Sequence, residues 1–159
     1  MENRVYISPM TMEDYDEVRA LWMTIQGFGI RALDDSREDV GRFIARNPTT
    51  SVVARADGRI VGSILCGSDG RQGSLYHVCV AREYRRRGIG TQMVGYCMHQ
   101  LRRMGINKVA LIAFPQNSVG NAFWQQIGWT RSNVNYYEFI LNEENITHFI
   151  GAENESTQD

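Results

Sequence analysis

The stretch EYRRRGIGTQMVGYC, residues 83–97, places three consecutive arginines before a Gly-x-Gly pair that opens into a helical pattern of apolar residues. A helix N-terminus favours anions and disfavours cations. It also offers free backbone N–H groups, and glycines let a phosphate approach them closely. Arg85, Arg86 and Arg87 can add charge-assisted hydrogen bonds to phosphate oxygens. The pattern therefore favours an anionic ligand at this loop over a solvated basic turn.

Two common phosphate-binding loops do not fit these residues. A Walker A loop requires Gly-Lys-Ser/Thr, whereas Ile89-Gly90-Thr91 contains no lysine. A dinucleotide-binding fingerprint requires a third glycine, and Met93 stands at that position. The loop therefore belongs to another class of phosphate-binding site.

Length and composition predict one cytoplasmic domain. The chain has 159 residues, 43% of them hydrophobic, with no run long enough to span a membrane and no apolar signal segment in MENRVYISPM. Cys66, Cys79 and Cys97 each lie in an apolar stretch, as reduced core thiols do. A net charge of -1 and histidines without ligand spacing lead us to expect no nucleic acid, no membrane and no metal.

Hydrophobic periodicity predicts alternating strands and helices in an α/β fold. A strand and two helices, the first with a Thr11–Asp14 capping box, precede a hairpin turned at Asp57-Gly58. The later elements are the strand SLYHVCVA, a helix from Gly88 to Met104, the strand NKVALIAF, the helix QNSVGNAFWQQIG and the strand NVNYYEFIL. Residues 1–142 are expected to form a single domain, and residues 143–159 an acidic, partly disordered tail.

Two of these segments together resemble the GNAT superfamily of N-acetyltransferases. VAREYRRRGIGTQMV is similar to its acyl-CoA-binding signature, R/Q-x-x-G-x-G/A, at Arg85, Gly88 and Gly90. NSVGNAFWQQIGW is similar to its downstream element at Asn117, Gly120, Phe123, Trp124, Gly128 and Trp129. The resemblance is closest to small bacterial acetyltransferases. It implies a mixed, mostly antiparallel sheet flanked by helices, splayed between the central strands that end near Val80 and Ala113.

The resemblance implies acetyl-CoA as co-substrate. Its pyrophosphate would lie on the backbone amides of Arg86 through Thr91, and its pantetheine arm would pair like a strand with the strand before the loop. The expected cofactor-binding residues are Val78, Cys79, Val80, Arg85, Arg86, Arg87, Gly88, Ile89, Gly90, Thr91 and Asn117. The reaction implied is acetyl transfer to a primary amine by direct attack in a ternary complex.

The group that protonates the leaving thiolate is less evident. Family members often use a tyrosine in the downstream helix, where this chain has Trp124, whose indole N–H is a donor only. Tyr136 and Tyr137, on the predicted last strand, are the candidate acids, with Tyr137 preferred, although ordinary strand aromatics are an alternative interpretation. The thiol of Cys79 as a covalent nucleophile lacks a nearby histidine–acid arrangement.

Strand alternation predicts which side chains of SLYHVCVA face the acceptor. Tyr76 shares parity with Val78 and Val80 and is the third candidate catalytic residue, as a proton relay through water. His77 alternates to the other face and is interpreted as a core histidine, unless a bulge reverses the parity.

The resemblance also implies that the loop QGFGIRALDDSRED helps form the acceptor pocket. Asp34 and Asp35 could attract a cationic amine and Phe28 could line the pocket; equally, Asp35 could cap the following helix. The acceptor stays open between small-molecule and peptide amines, and a homodimer is possible. A catalytically weak acyl-CoA-binding regulatory module is the alternative function, because Trp124 and Ile112 stand where relatives carry proton-transfer groups.

Overall fold

The computed structural model describes residues 4–151, which form a five-stranded sheet with helices on both faces and a separate two-stranded ribbon. The strands are β1 Tyr6–Pro9, β2 Gly29–Arg31, β3 Val52–Ala56, β4 Arg59–Ser68, β5 Gly73–Val80, β6 Val109–Ala110 and β7 Thr147–Phe149. The helices are α1 Tyr15–Trp22, α2 Arg37–Arg46, α3 Ile89–Arg103 and α4 Ser118–Gln126. Within residues 4–151, no helix has the length and apolar character needed to cross a membrane.

The main sheet has the order β1-β3-β4-β5-β6 and is antiparallel except between β5 and β6. The hairpin of β3 and β4 turns at Asp57 and Gly58, which both have positive φ, as a type I′ turn requires. The parallel pair is short: β5 and β6 meet only at Gly73–Val109 and Ser74–Ala110. Beyond Ser74 the two strands separate, which confirms the predicted splayed sheet.

Two apolar cores lie on opposite faces of the sheet. The first packs the sheet against α3 and has Met93 and Leu101 among its buried members. The second packs the other face against α1, whose Trp22 is fully buried, with Val40 of α2 beside it. The sheet is therefore covered by helices on both faces.

Helix α3 has the predicted apolar stripe, except that Met104, expected as its last member, is half exposed. Its buried side chains are Ile89, Met93, Val94, Cys97 and Leu101, which recur at helical spacing. Leu101 lies directly over β5: a Cβ added at Gly73 would be 2.7 Å from Leu101 Cδ1. The helix thus contacts the sheet backbone at the point where β5 and β6 still pair.

The C-terminal part of the chain differs from the sequence-based expectation. Residues 133–141, predicted as the last strand, form no strand, and residues 130–141 are all exposed. Instead β7 pairs antiparallel with β2, with His148 opposite Ile30, and Ile150 packs against the second core. Within the predicted tail of residues 143–159, residues 147–149 therefore pair with a strand and Ile150 packs against a core. Residues 152–159 of that predicted tail lie outside the described residues.

Leu101→Ala should lower the free energy of unfolding by about 2–5 kcal/mol, because it opens a cavity over the β5 backbone. Met104→Ala is the matched control at the end of the same helix, where the side chain is half exposed, and should change stability by less than about 0.5 kcal/mol. Urea unfolding of both variants measures the difference. Equal losses would contradict the packing of α3 through Leu101.

Candidate active site

The loop between β5 and α3 has the backbone of an anion site. Arg86 has φ +64° and Gly88, the N-cap of α3, has φ +78°. A Cβ at Gly88 would meet nothing within 4 Å, so the left-handed backbone and not crowding favours glycine there. The first hydrogen bond of the helix runs from Gln92 N–H to Gly88 O at 3.0 Å. The N–H groups of residues 89–91 precede it and so lack helical acceptors.

Two of the three arginines hold the loop in shape. Arg85 Nε donates to Val80 O and Arg87 Nη2 donates to Glu83 O, both at 3.1 Å. The Arg87 guanidinium also lies 4.9 Å from the centre of the Tyr84 ring. These contacts with carbonyl oxygens and a ring face stabilise cations beside the positive end of α3. The exposed loop is therefore both pre-shaped and positively charged.

Gly90 serves helix packing. A Cβ at this position would lie 3.2 Å from Phe123 Cζ and 3.9 Å from Val80 Cγ2. Phe123 belongs to α4, where its ring is 4.9 Å from that of Trp124, which in turn is 4.7 Å from the Trp129 ring. The second glycine of the sequence motif thus lets α3 and α4 approach closely, and the aromatic residues of the second motif pack there together.

Asn117 is the N-cap of α4. Its Oδ1 accepts the Gly120 N–H at 3.0 Å, and a Cβ at position 120 would lie 2.4 Å from Asn117 Nδ2. The absence of a side chain at Gly120 is what makes room for this cap. The side-chain oxygen of Asn117 is thereby committed to the helix, and its NH₂ group is the part that can serve a ligand.

The splay leaves one edge of β5 without a neighbouring strand. In the described part of the chain β6 pairs only with Gly73 and Ser74, so residues 75–80 have no neighbouring strand on that side, although Val80 O accepts a hydrogen bond from Arg85 Nε. Such an edge is a template for an extended ligand. Val78 and Val80 pack towards α3, whereas Cys79 belongs to the opposite core. Three residues expected to contact a cofactor therefore lie at the open edge, directly before the loop.

The Cys79 thiol is unsuited to nucleophilic attack. It is buried, with its Sγ 3.6 Å from Ser63 Oγ. Burial raises the pKa of Cys79 to about 11, so the thiol keeps its proton at neutral pH. Only the backbone of this residue is available at the open edge.

A β-bulge interrupts the pairing of β4 and β5. Ser63 pairs with Cys79 and Leu65 pairs with Tyr76, so His77 and Val78 together oppose one residue of β4. His77 has φ +50°, an uncommon value for a residue other than glycine. The extra residue brings Tyr76 onto the α1/α2 face together with His77. The predicted parity of Tyr76 with Val78 and Val80 is therefore wrong.

His77 pairs with Asp35. Its Nε2 lies 2.7 Å from Asp35 Oδ1, and Asp35 Oδ2 accepts the Arg31 N–H at 2.7 Å. The imidazole lies 4.7 Å from the Trp22 ring and 5.2 Å from the Phe28 ring. A carboxylate accepts, so Nε2 is the donor to Asp35, and in the neutral tautomer this leaves Nδ1 as the acceptor. This is the arrangement of a base held by an orienting group.

Sequence reasoning missed this pair because it spans 42 residues and depends on the bulge. Asp35 is only 6% exposed and bound to His77, so it does not offer a free charge to a cationic amine. It is not the helix cap either, since Ser36 Oγ accepts the Asp39 N–H. Phe28 is half-buried, and its ring is in contact with that of His77.

The remaining predicted residues lie apart from His77. Asp34 is exposed, 3.3 Å from Arg31 Nη1, and accepts a hydrogen bond from Asn145 Nδ2 at 2.9 Å. Tyr136 and Tyr137 are 61% and 86% exposed. Across residues 4–151, no hydrogen bond or ring contact links either tyrosine to His77 or to the basic loop.

An open cavity of about 260 Å³ lies on the α2 side of the sheet, next to the bulge. Its lining includes Tyr76, which makes an edge contact with Phe43 at 6.0 Å, and Asp69. The backbone N–H groups of Gln72 and Arg71 lower the pKa of the Asp69 carboxyl, so it is ionised at neutral pH. The lining therefore carries one acidic and one basic side chain, Asp69 and Arg46, on the same face as His77. No cluster of three potential metal ligands occurs within residues 4–151.

Comparison with known proteins identifies the family. The sequence model of the acetyltransferase (GNAT) family matches residues 15–129. A PaiA N-acetyltransferase from Thermoplasma acidophilum in complex with coenzyme A is similar with a TM-score of 0.71 and 18% identity, over 83% of this chain and 93% of that one. A ribosomal-protein-alanine N-acetyltransferase from Brucella melitensis biovar Abortus 2308 is similar with a TM-score of 0.67 and 18% identity, over 87% of this chain and 100% of that one.

The aminoglycoside N-acetyltransferase AAC(6')-Iy in complex with CoA gives a TM-score of 0.67 and 19% identity, over 87% of this chain and 97% of that one. At these identities the three structures show a shared fold. The family match itself covers most of the chain, including α1, the basic loop, α3 and α4. The chain belongs to the acetyltransferase (GNAT) family.

Proposed function

We infer that the protein is an acetyl-CoA-dependent N-acetyltransferase that moves the acetyl group to a primary amine by direct attack in a ternary complex. The observation that carries this inference is the continuity of the unpaired β5 edge with the basic loop and the N-terminus of α3. An extended arm and a pyrophosphate require these two features side by side. The coenzyme A complexes of similarly folded proteins support the choice of ligand.

The proposed position of acetyl-CoA follows from these groups. The pyrophosphate lies on the N–H groups from Arg86 to Thr91, with the charges of Arg85, Arg86 and Arg87 around it. The pantetheine arm runs along Val78, Cys79 and Val80 as an added strand, and the Asn117 NH₂ group donates to it. This path brings the thioester to the bulge.

His77 is the proposed general base. A free lysine side chain has a pKa of about 10.4 and an α-amine about 8, so a bound acceptor must lose a proton before it attacks. His77 Nδ1 takes that proton, directly or through water, while Asp35 holds the ring. The amine nitrogen then bonds to the thioester carbon, the C–S bond breaks, and the thiolate leaves with the bonding electrons. The thiolate is finally protonated, and His77 releases its proton to solvent.

The proton donor to the thiolate is a separate question. Among the candidate tyrosines, we favour Tyr76 as the proton donor to the thiolate, because it shares a face with His77 and its side chain is 52% exposed. Tyr136 and Tyr137 carry suitable hydroxyls but are exposed and outside contact range of the bulge. A general acid is not essential, because a thiol has a pKa of about 8.5, so the thiolate can leave as the anion and be protonated by solvent afterwards.

The acceptor is proposed to enter on the α1/α2 face, past Phe28 and towards the cavity that contains Asp69. Asp34, paired with Arg31, and Asp69, in a lining shared with Arg46, are the proposed contacts of a small-molecule or peptide amine. Three free, buried cysteines fit a reducing compartment, so we place the reaction in the cytoplasm. The His77–Asp35 pair favours catalysis over the regulatory alternative. Release of free coenzyme A with a panel of amines separates the two functions.

Acetyl-CoA should raise the melting temperature, because it binds only the folded chain. Gly88→Asp should abolish that rise: aspartate tolerates positive φ, but its charge repels the pyrophosphate. Gly88→Asn is the matched control, with the same shape and no charge, and should keep most of the rise. Thermal melts at millimolar acetyl-CoA make the comparison. An unshifted wild type, or a fully shifted Gly88→Asp variant, contradicts the loop as the pyrophosphate site.

His77→Asn should lower kcat by about 10²–10⁴-fold with the KM for acetyl-CoA unchanged. Asparagine tolerates the positive φ, so the bulge is kept. The deficit should shrink as pH rises towards the pKa of the acceptor amine, because that amine then needs no base. Asp35→Asn should lower kcat less, and the double variant should lose less than the product of the two effects. Glu38→Gln, an exposed charge change on α2, is the control; a pH-independent deficit would contradict a base role.

Cys79→Ala should retain turnover within a few-fold, because direct attack needs no enzyme thiol. No acetylated enzyme should accumulate when acetyl-CoA is supplied without an acceptor, as mass spectrometry of the intact chain can show. A stable added acetyl group that disappears in Cys79→Ala would establish a covalent route instead.

A further inference from the structure

The cavity beside the bulge contains hydrogen-bond donors that the chain itself does not use. Arg46 lines the cavity, and within residues 4–151 its guanidinium makes no hydrogen bond or ion pair. The hydroxyl groups of Ser74 and Tyr76 also line it and donate to no group in that part of the chain. Unused donors of this kind are complementary to a ligand group that accepts hydrogen bonds.

The acceptors of the same cavity are largely in use. Asn47 Oδ1 accepts the Ser68 N–H at 2.9 Å. Asp69 Oδ1 accepts the N–H groups of Arg71 and Gln72, both at 2.8 Å. These bonds hold the turn between β4 and β5 against the end of α2. The polar groups that stay free in the cavity are therefore mainly donors, and they include one full positive charge.

Helix α2 separates the donors from the proposed base. Asp35, which holds His77, lies just before its first residue, and Arg46 is its last residue. Ten helical residues span about 15 Å, and helical side chains lean back towards the N-terminus. On the strand side, Ser74 and His77 are three residues apart, which is roughly 10 Å. The free donors therefore lie on the order of 10 Å from the His77 ring.

The Arg46 guanidinium lies near the β4–β5 turn and not near the base. The pKa of the Asp69 carboxyl is lowered first by the N–H groups of its own turn and further by the Arg46 charge. The lining as a whole thus carries one charge of each sign, with the positive charge at the end of the cavity that is distant from His77.

We propose that the acceptor carries a carboxylate about 10 Å from its reacting amine, and that Arg46, assisted by the Ser74 hydroxyl, binds this carboxylate while the amine reaches His77. The inference rests on the proposed function, because it names the acceptor class of the same site. An extended chain spans about 3.3–3.6 Å per residue, so the two ends of a free tripeptide have this spacing. We call the group formed by Arg46 and Ser74 the carboxylate subsite.

Size and charge disfavour a polycationic acceptor. The cavity, at about 260 Å³, is smaller than the roughly 300–1,000 Å³ of pockets that hold drug-sized ligands. A second ammonium group at its far end would meet the Arg46 charge, whereas a carboxylate there can form charge-assisted hydrogen bonds. A small molecule with one charge of each sign is therefore the complementary ligand.

Triglycine and triglycine amide test the subsite, because they share the amine and the chain and differ in the terminal charge. Isothermal titration calorimetry of the full chain, with and without coenzyme A, should show triglycine binding about tenfold more tightly, as charge-assisted hydrogen bonds allow. Salt at about 1 M should reduce this preference, because it screens an open ion pair. Equal binding of the two peptides, or binding of neither, overturns the proposal.

Arg46→Gln should remove the preference for triglycine over its amide. Arg42→Gln is the matched control on the same helix: its guanidinium lies 2.8 Å from Asp39 and does not line the cavity, so the preference should stay. An arginine at a helix C-terminus also stabilises the helix dipole. If Arg46→Gln lowers the melting temperature and leaves the preference intact, Arg46 serves only the helix and the proposal is wrong.

Turnover separates this inference from the proposed function. Release of coenzyme A from acetyl-CoA should show a KM for triglycine about tenfold below that for its amide, with similar kcat, because the subsite contacts a group that does not react. If triglycine is preferred in binding but no amine in the panel releases coenzyme A, the proposed function fails and the carboxylate subsite stands. If amines are acetylated and the two peptides have equal KM, the subsite fails and the proposed function stands.

Discussion

The bulge opposite Ile64 is the constraint on which both halves of the site depend. A bulge adds one residue to a strand, bends it and increases its twist. Here it turns the His77 side chain towards Asp35. In the same few residues, β5 leaves β6 and its backbone loses a neighbouring strand. The bulge therefore lies next to two features of the site. On one face the His77 imidazole is held by Asp35, and beside it β5 has an edge that an extended ligand could pair with.

The arginines of the basic loop lie beside the positive end of the α3 dipole, and contacts within the loop offset this unfavourable placement. The cations next to α3 are stabilised before any ligand arrives, because Arg85 and Arg87 donate to the carbonyl groups of Val80 and Glu83. The Tyr84 ring under Arg87 is itself fixed by a hydrogen bond from its hydroxyl to Asp57 Oδ2 at 2.7 Å. The turn of the β3–β4 hairpin thus supports the shape of a loop that is distant in sequence. A ligand phosphate entering such a loop meets groups that need little reorganisation.

The sequence predicts correctly those parts of the structure that depend on residues close together in the chain. The loop with Gly88, the stripe of α3 and the hairpin turn at Asp57 all follow from spacing and turn chemistry. The His77–Asp35 pair does not, because a bulge leaves no mark in the alternation of SLYHVCVA and the partner comes from a distant loop. Residues 133–141 have the composition of a strand, but composition does not supply the neighbouring strand that a ladder needs. Sequence alone suggests a cap or a substrate contact at position 35, and only the folded chain reveals its actual partner.

The pairing of β7 with β2 has a consequence for the order in which the protein is assembled during synthesis. The loop that carries Phe28, Asp34 and Asp35 is made early, yet the backbone of Leu33 and Asp34 binds Asn145, 111 residues later. Gly27, Phe28 and Ala32 likewise bond to the backbone of residues 146–150. Until residues 145–150 have been synthesised, this loop has no ribbon to hold it. The main sheet and the basic loop use residues 6–110 alone, so they can form earlier in synthesis than the pairing of β2 with β7.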